Sequence, residues 1–261
     1  MKFNILAFLL CFVSGLSAQT PSEKNGHNKI LFIMSNAKTY GDSDIETGTS
    51  FAEIVYAYDV FVKNDYRVDF LTPNGGKIHL GHYYKAKDTL QYRYYNDVKF
   101  MTRLNSTLKP TEVIASNYDA VYYVGGGAAM YNVPVNKAIQ NITMTVYEKQ
   151  NGVISAVCHG TAGIVSLKTQ DGNYLVKGKK INGFPDAFEK KDRPYYQYFP
   201  FSIEEKINEH DGFFTYSADG WDGYAIADGR VITGQDPTAS ARVAELVVAK
   251  LKEQSNQSTN K

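Results

Sequence analysis

The chain has 261 residues, with 28 lysines and arginines against 27 aspartates and glutamates and a formal net charge of +1. That balance gives no reason to expect nucleic acid or an anionic membrane surface as a partner. The length suffices for one large domain with a sizeable core, and no internal repeat or long low-complexity stretch divides it.

Residues 1–18 carry Lys2, an apolar run from Ile5 to Val13, and the small-residue end Ser14-Gly15-Leu16-Ser17-Ala18. The pattern predicts a secretory signal peptide cut before Gln19, hence a periplasmic or secreted protein. The run is too short to anchor the chain as a membrane span. Of the two cysteines, Cys11 leaves with that segment, so Cys158 is the mature thiol. A secreted chain with one cysteine has no internal disulfide, and its leftover thiol points to reactivity. Residues 19–28 are polar and turn-rich and are predicted to be a disordered lead-in. The polar tail at 253–261 is expected to behave the same way.

Between these ends, residues 29–252 alternate strand and helix patterns. Residues 29–34 form a continuous apolar run, as expected of a parallel strand buried on both faces. Residues 49–64 place Phe51, Ile54, Val55, Tyr58 and Phe61 at helical spacing. Glu53 sits among them. Spacing alone favours a solvent-facing carboxylate; if buried, it becomes an acid able to exchange a proton with a thiol. Residues 66–71 read as a second strand, stopped by Pro73-Asn74-Gly75-Gly76. Residues 118–124 read as a third, ending in Gly125-Gly126-Gly127. That triplet is either a plain tight turn or a set of backbone N–H groups facing an oxyanion. No phosphate-loop pattern surrounds it.

A helix follows at 136–150 and a fourth strand at 153–156. This strand runs into Val157-Cys158-His159-Gly160, where small residues Thr161, Ala162 and Gly163 open a predicted helix through Leu167. A strand turning sharply into a helix through one reactive side chain is the arrangement of a nucleophile elbow. A helix N-terminus at the sulfur predicts a thiol pKa below the free value. The alternative is a buried structural cysteine. Short strands are expected at 213–216, 224–227 and 230–233, with a hairpin at Asp228-Gly229, before a closing amphipathic helix at 239–251. These repeated units imply an α/β fold: a doubly wound, mostly parallel sheet sandwiched by helices, with its site at the carboxyl ends of the strands.

Several motifs carry a resemblance. They are Ala156-Val157-Cys158-His159-Gly160, Tyr118-Asp119-Ala120 running into the glycine triplet, and Asn182-Gly183-Phe184-Pro185-Asp186-Ala187. Pro200-Phe201 with Glu204-Glu205, and the run from Asp228 to Pro237, complete the set. Together they resemble the ThiJ/PfpI superfamily, relatives of the class I glutamine amidotransferase fold built on a flavodoxin-like sheet. The match is to the larger branch of heat-shock chaperones and glutathione-independent glyoxalases. The resemblance implies a nucleophile at Cys158, a partner at His159, a third acid at Glu189 with Asp186 as the alternative, and a buried glutamate at Glu53. It implies oxyanion donors at the backbone amides of Gly126 or Gly127 and His159.

The chain departs from the branch in two places. Many members have a histidine where this chain has Gly127, and many have proline where it has Thr161. The His-x-Glu pair of the amidotransferases is not found near the C-terminus, which argues against ammonia release from glutamine. Two Tyr-rich insertions, 79–110 and 190–201, are expected to cap the strand ends and shape the pocket, or to form a homodimer surface. His79 and His82, or His27, are weak metal candidates without clustered carboxylates, so no metal and no organic cofactor is expected. The activity implied is conversion of a small-molecule carbonyl substrate, a 2-oxoaldehyde, through a cysteine hemithioacetal. The alternatives are a cysteine hydrolase with the same triad, and a holdase or redox sensor whose thiol oxidises to sulfinic acid.

Overall fold

The computed structural model describes residues 27–81 and 84–259. The predicted leader at 1–18, most of the lead-in, and His82 lie outside them. Six strands form the central sheet in the order β2-β1-β3-β4-β8-β7. They are β1 (Lys29–Ile33), β2 (Arg67–Leu71), β3 (Ala120–Tyr123), β4 (Val153–Val157), β7 (Ala225–Asp228) and β8 (Val231–Gly234). All neighbours run parallel except the β7–β8 hairpin, which turns at Asp228-Gly229 as its sequence predicts. The middle strands β3 and β4 are buried at every position, which is why they read as runs of apolar and small residues.

Helices cover both faces. On one, α1 (Phe51–Lys63) and α6 (Ser240–Thr259) pack together with Phe32, Phe61, Tyr122 and Val247. On the other, α4 (Lys137–Lys149) covers Leu31, Val121, Tyr123 and Ile154. The first insertion folds as α2 (Thr89–Tyr95) and α3 (Val98–Leu104), capped by Asp88 and Asp97. A satellite sheet of β5 (Lys180–Ile181) and β6 (Phe213–Phe214) stands apart, flanked by α5 (Ile203–Glu209). The strand expected at 213–216 is therefore short and outside the main sheet.

Two expectations are corrected. The closing helix does not stop at Leu251; it continues to Thr259, through most of the tail expected to be disordered. No Gly or Pro interrupts the tail, Lys250 pairs with Glu253 at 2.8 Å, and Gln254 donates to the Asn151 carbonyl at 2.8 Å. The chain after Cys158 is not an α-helix but a tight 3-10 turn, Cys158–Gly163. Gly160 and Gly163 are poor helix formers, and the chain bends away to form a bridge between Lys168 and Tyr174.

Candidate active site

The pairing of Tyr123 with Ala156 aligns the ends of β3 and β4, so the loop at Gly125 and the elbow at Cys158 lie side by side. Cys158 has φ +56°, a left-handed conformation that a non-glycine residue holds only when its surroundings impose it. Gly160 permits the turn beneath it: a Cβ there would lie 2.4 Å from the Tyr123 carbonyl oxygen. Cys158 is nonetheless buried and free.

His159 comes within reach of the sulfur, with Nδ1 3.4 Å from Sγ. Its other nitrogen, Nε2, lies 2.7 Å from Glu189 Oε1, and both side chains are largely buried. A carboxylate at Nε2 fixes the proton on that nitrogen, which leaves the Nδ1 lone pair facing the thiol. The imidazole is held flat against Phe184, with centroids 4.7 Å apart and planes 24° apart, and Phe199 closes its flank. Glu189 ends a short turn over Asp186–Phe188, so the phenylalanine-rich stretch delivers both acid and ring.

Asp186, the alternative acid, is placed elsewhere. It accepts from the Ser202 hydroxyl at 2.8 Å and sits 3.9 Å from Lys191.

Glu53 is fully buried on the first turn of α1, contrary to its solvent-facing expectation from spacing. Gly125 N–H donates to its Oε2 at 2.6 Å, and a Cβ on Gly125 would occupy the same space. Its Oε1 has no hydrogen-bond partner among the described residues. Burial raises its pKa from 4.5 to about 8, against the opposing Gly125 hydrogen bond. The acid is therefore protonated at neutral pH.

The thiol moves the opposite way from its sequence-based expectation. Burial pushes the Cys158 pKa well up, and Glu53, where it is ionised, adds to the rise. The backbone N–H groups of His159 and Gly126 point at the sulfur and oppose it without prevailing. The expected lowering relied on the dipole of an α-helix, and one 3-10 turn supplies little of it.

Of the two candidate oxyanion glycines, Gly126 (φ +93°) presents its N–H to the sulfur, while Gly127 opens a turn to Met130 and lines the pocket. Thr161 joins the elbow to its neighbour: its hydroxyl donates to the Asn182 carbonyl at 3.2 Å.

These groups form the floor of a cavity of about 960 Å³. Its walls come from both Tyr-rich insertions, through Lys85 and Gln91 from the first and Arg193, Tyr195 and Phe199 from the second. The cavity is far larger than the small closed pocket that the smallest 2-oxoaldehydes require. Two wall residues escaped sequence reading. Tyr40 lies in an irregular loop with no periodicity, and Trp221 in the turn Asp219-Gly220-Trp221-Asp222-Gly223. The glycines flanking that tryptophan, the chain's only one, were the available signal. Among the described residues no group of three or more His, Cys, Asp or Glu could hold a metal ion. No described helix is long and apolar enough to cross a membrane.

An elbow cysteine at the end of a central parallel strand, beside a His–Glu pair and a buried acid, defines a cysteine-elbow α/β protein of the flavodoxin-like class. The chain belongs to the DJ-1/PfpI family, whose profile matches residues 45–250. It is 29% identical to the glutathione-independent glyoxalase HSP31 of Saccharomyces cerevisiae, over 86% of this chain and 98% of that one. It is 28% identical to glyoxalase 3 of Candida albicans, over 84% and 96%. The crystal structure of glyoxalase III from Candida albicans superposes with a TM-score of 0.78 at 26% identity, covering 86% of this chain and 98% of that one.

Proposed function

We propose that this chain is a glutathione-independent glyoxalase, converting a 2-oxoaldehyde and water to a 2-hydroxy acid with no cofactor. The observation that carries the reading is the continuous array Glu189–His159–Cys158 with Glu53 beside it, at the floor of a cavity. Relatives named as glyoxalases support the same activity.

The geometry suggests the following sequence. Because the thiol is held neutral, its proton passes to His159 Nδ1 as sulfur attacks the aldehyde carbon, C1. The product is a hemithioacetal whose C1 oxygen faces the amides of Gly126 and His159. Glu189 stabilises the imidazolium that forms. Glu53, once it has lost its own proton, takes the C1 hydrogen as a proton and gives an enediolate. Glu53 returns that proton to C2, the His159 imidazolium gives its proton to the C2 oxygen, and the C1 oxygen closes to a carbonyl, leaving the thioester of the 2-hydroxy acid. Water then cleaves the C1–S bond, releasing the acid and restoring the thiol. A three-carbon substrate fills a small part of the cavity, so larger 2-oxoaldehydes also fit.

Purified mature protein, free of metal and glutathione, is expected to convert methylglyoxal to lactate, and Cys158→Ser to abolish this. Absence of lactate with the intact thiol would end the reading. Export belongs to the same proposal: an N-terminus at Gln19, found by mass spectrometry in the host's periplasm or medium, supports it, and intact Met1 in the soluble cytoplasm defeats it.

A further inference from the structure

Tyr40 carries an unexplained hydroxyl. It sits in a loop held by a bridge between Thr39 and Glu46, and its ring stacks on Tyr195 with centroids 4.7 Å apart. The residue is buried yet lines the catalytic cavity. Its hydroxyl shows no hydrogen bond to another described residue and belongs to a side chain lining the cavity, so it can donate into it. A second hydroxyl lies near it. Thr47 Oγ1 is buried without a partner.

Gly127 explains how both reach the site. A Cβ there would lie 2.5 Å from Thr47 Oγ1, 2.6 Å from the Tyr40 hydroxyl oxygen and 2.7 Å from the Tyr40 ring. The two hydroxyls therefore occupy the space that any side chain at this position would fill. Gly127 adjoins Gly126, whose N–H faces the sulfur. A hydroxyl packed against Gly127, the next residue of the oxyanion loop, is placed to meet a substrate oxygen.

We propose that the Tyr40 hydroxyl is a catalytic hydrogen-bond donor to the oxygen on C2 of the substrate, the ketone oxygen that becomes anionic in the enediolate. Gly127 is required because a side chain would displace the hydroxyls of both Tyr40 and Thr47. The assignment rests on the glyoxalase reading for the identity of the oxygen. No proton is transferred; the bond strengthens as charge develops on that oxygen.

Tyr40→Phe keeps the stacked ring and removes only the donor. It is expected to lower kcat for methylglyoxal about 100-fold or more, as loss of an oxyanion donor does, with a much smaller change in KM and an unchanged Tm. Gly127→Ala, by displacing the hydroxyl, should lose a similar factor. The double variant should be little worse than either, because both remove one interaction. Binding is measured separately with acetohydroxamate, whose anion sets two oxygens cis on adjacent atoms. It should slow iodoacetamide alkylation of Cys158, and Tyr40→Phe should weaken that protection about tenfold. Tyr40-dependent protection without any turnover supports the donor and removes the glyoxalase reading. Turnover and protection within about twofold of the parent in Tyr40→Phe would overturn the donor and leave the glyoxalase reading standing. A loss of kcat that only follows a lowered Tm would overturn it as well.

Discussion

The floor and the roof of the cavity are built on opposite terms. On the floor, backbone fixes everything: Cys158 is held at φ +56°, and Gly125, Gly126 and Gly160 all pack where a Cβ would collide with neighbouring atoms at 2.6 Å or less. On the roof, side chains decide. Lys85, Lys190 and Arg193 are exposed, and Trp221 is 60% exposed although it lines the same cavity. A floor residue cannot change without moving its neighbours, whereas a roof residue can change while the fold stays as it is. On the proposed function, the floor would carry the chemistry and the roof would set which substrate reaches it.

The sharpest break of this contrast is Gly160→Ala. Its Cβ would meet backbone, the carbonyl of Tyr123, which cannot rotate away as a side chain does. Overpacking of this kind is expected to destabilise the fold by about 3 kcal/mol or more. Urea denaturation measures it; a loss under about 0.5 kcal/mol, the size of a surface change, would show that the elbow yields and is not fixed.

Glu53 comes next, because it ties the floor's chemistry to its stability. With its pKa raised from 4.5 to about 8, the native state keeps a proton between those values that the unfolded chain has lost. Stability therefore falls as pH rises through that window, by on the order of 5 kcal/mol, and no further above it. Glu53→Gln removes this contribution, so its Tm should gain on the parent's between pH 5 and pH 8. The same substitution should cut kcat about 100-fold or more by removing the base. In the parent, kcat/KM should rise with pH up to about 8, as Glu53 or its thiol partner gives up the first proton of the pair. A profile flat from pH 6 to 9 would contradict that assignment.

The sheet was legible because parallel strands buried on both faces leave unbroken apolar runs, as in residues 30–34 and 120–124. The elbow was legible because Cys158, with glycine two residues on, stands at the end of such a run. Glu53 was ambiguous, since helical spacing does not say which side of α1 meets the glycine loop. The direction of the thiol's pKa was missed for a related reason. Sequence gives an apolar run after the elbow, but the tight 3-10 turn that deprives the sulfur of a helix dipole depends on how Gly160 and Gly163 pack against Tyr123. Tyr40 left no trace, because a loop residue's role depends on what folds against it.

Glu189 tests the boundary between floor and roof, since it is followed by Lys190 and Lys191 in a segment that otherwise reads as surface. Glu189→Gln should lower kcat about tenfold or more by releasing the imidazole tautomer, with little loss of stability. Combined with His159→Ala it should add almost nothing, because the acid acts through the histidine. Multiplying losses would mean that Glu189 acts independently of the ring.

The smallest effect is expected at Trp221, and it is the most selective. The turn holds this residue by its backbone: φ is +54°, and its N–H donates to Asp236 Oδ2 at 2.8 Å. The ring meets Phe184 edge-on at 6.3 Å and is otherwise largely open to water. Trp221→Ala should therefore change stability by no more than about 0.5 kcal/mol, as for other surface substitutions. What it removes is a flat apolar wall above the His159–Phe184 stack. A substrate with a large ring, such as phenylglyoxal, is expected to reach that wall, and methylglyoxal is not. The ratio of kcat/KM for phenylglyoxal over methylglyoxal should fall about 3- to 10-fold, in line with about 1 kcal/mol for an aromatic contact. Because the chain has one tryptophan, its fluorescence reports the same contact directly. Phenylglyoxal should quench it saturably in Cys158→Ser, where no turnover intervenes. An unchanged selectivity ratio together with no quenching would place the substrate away from this wall and assign specificity to the floor alone.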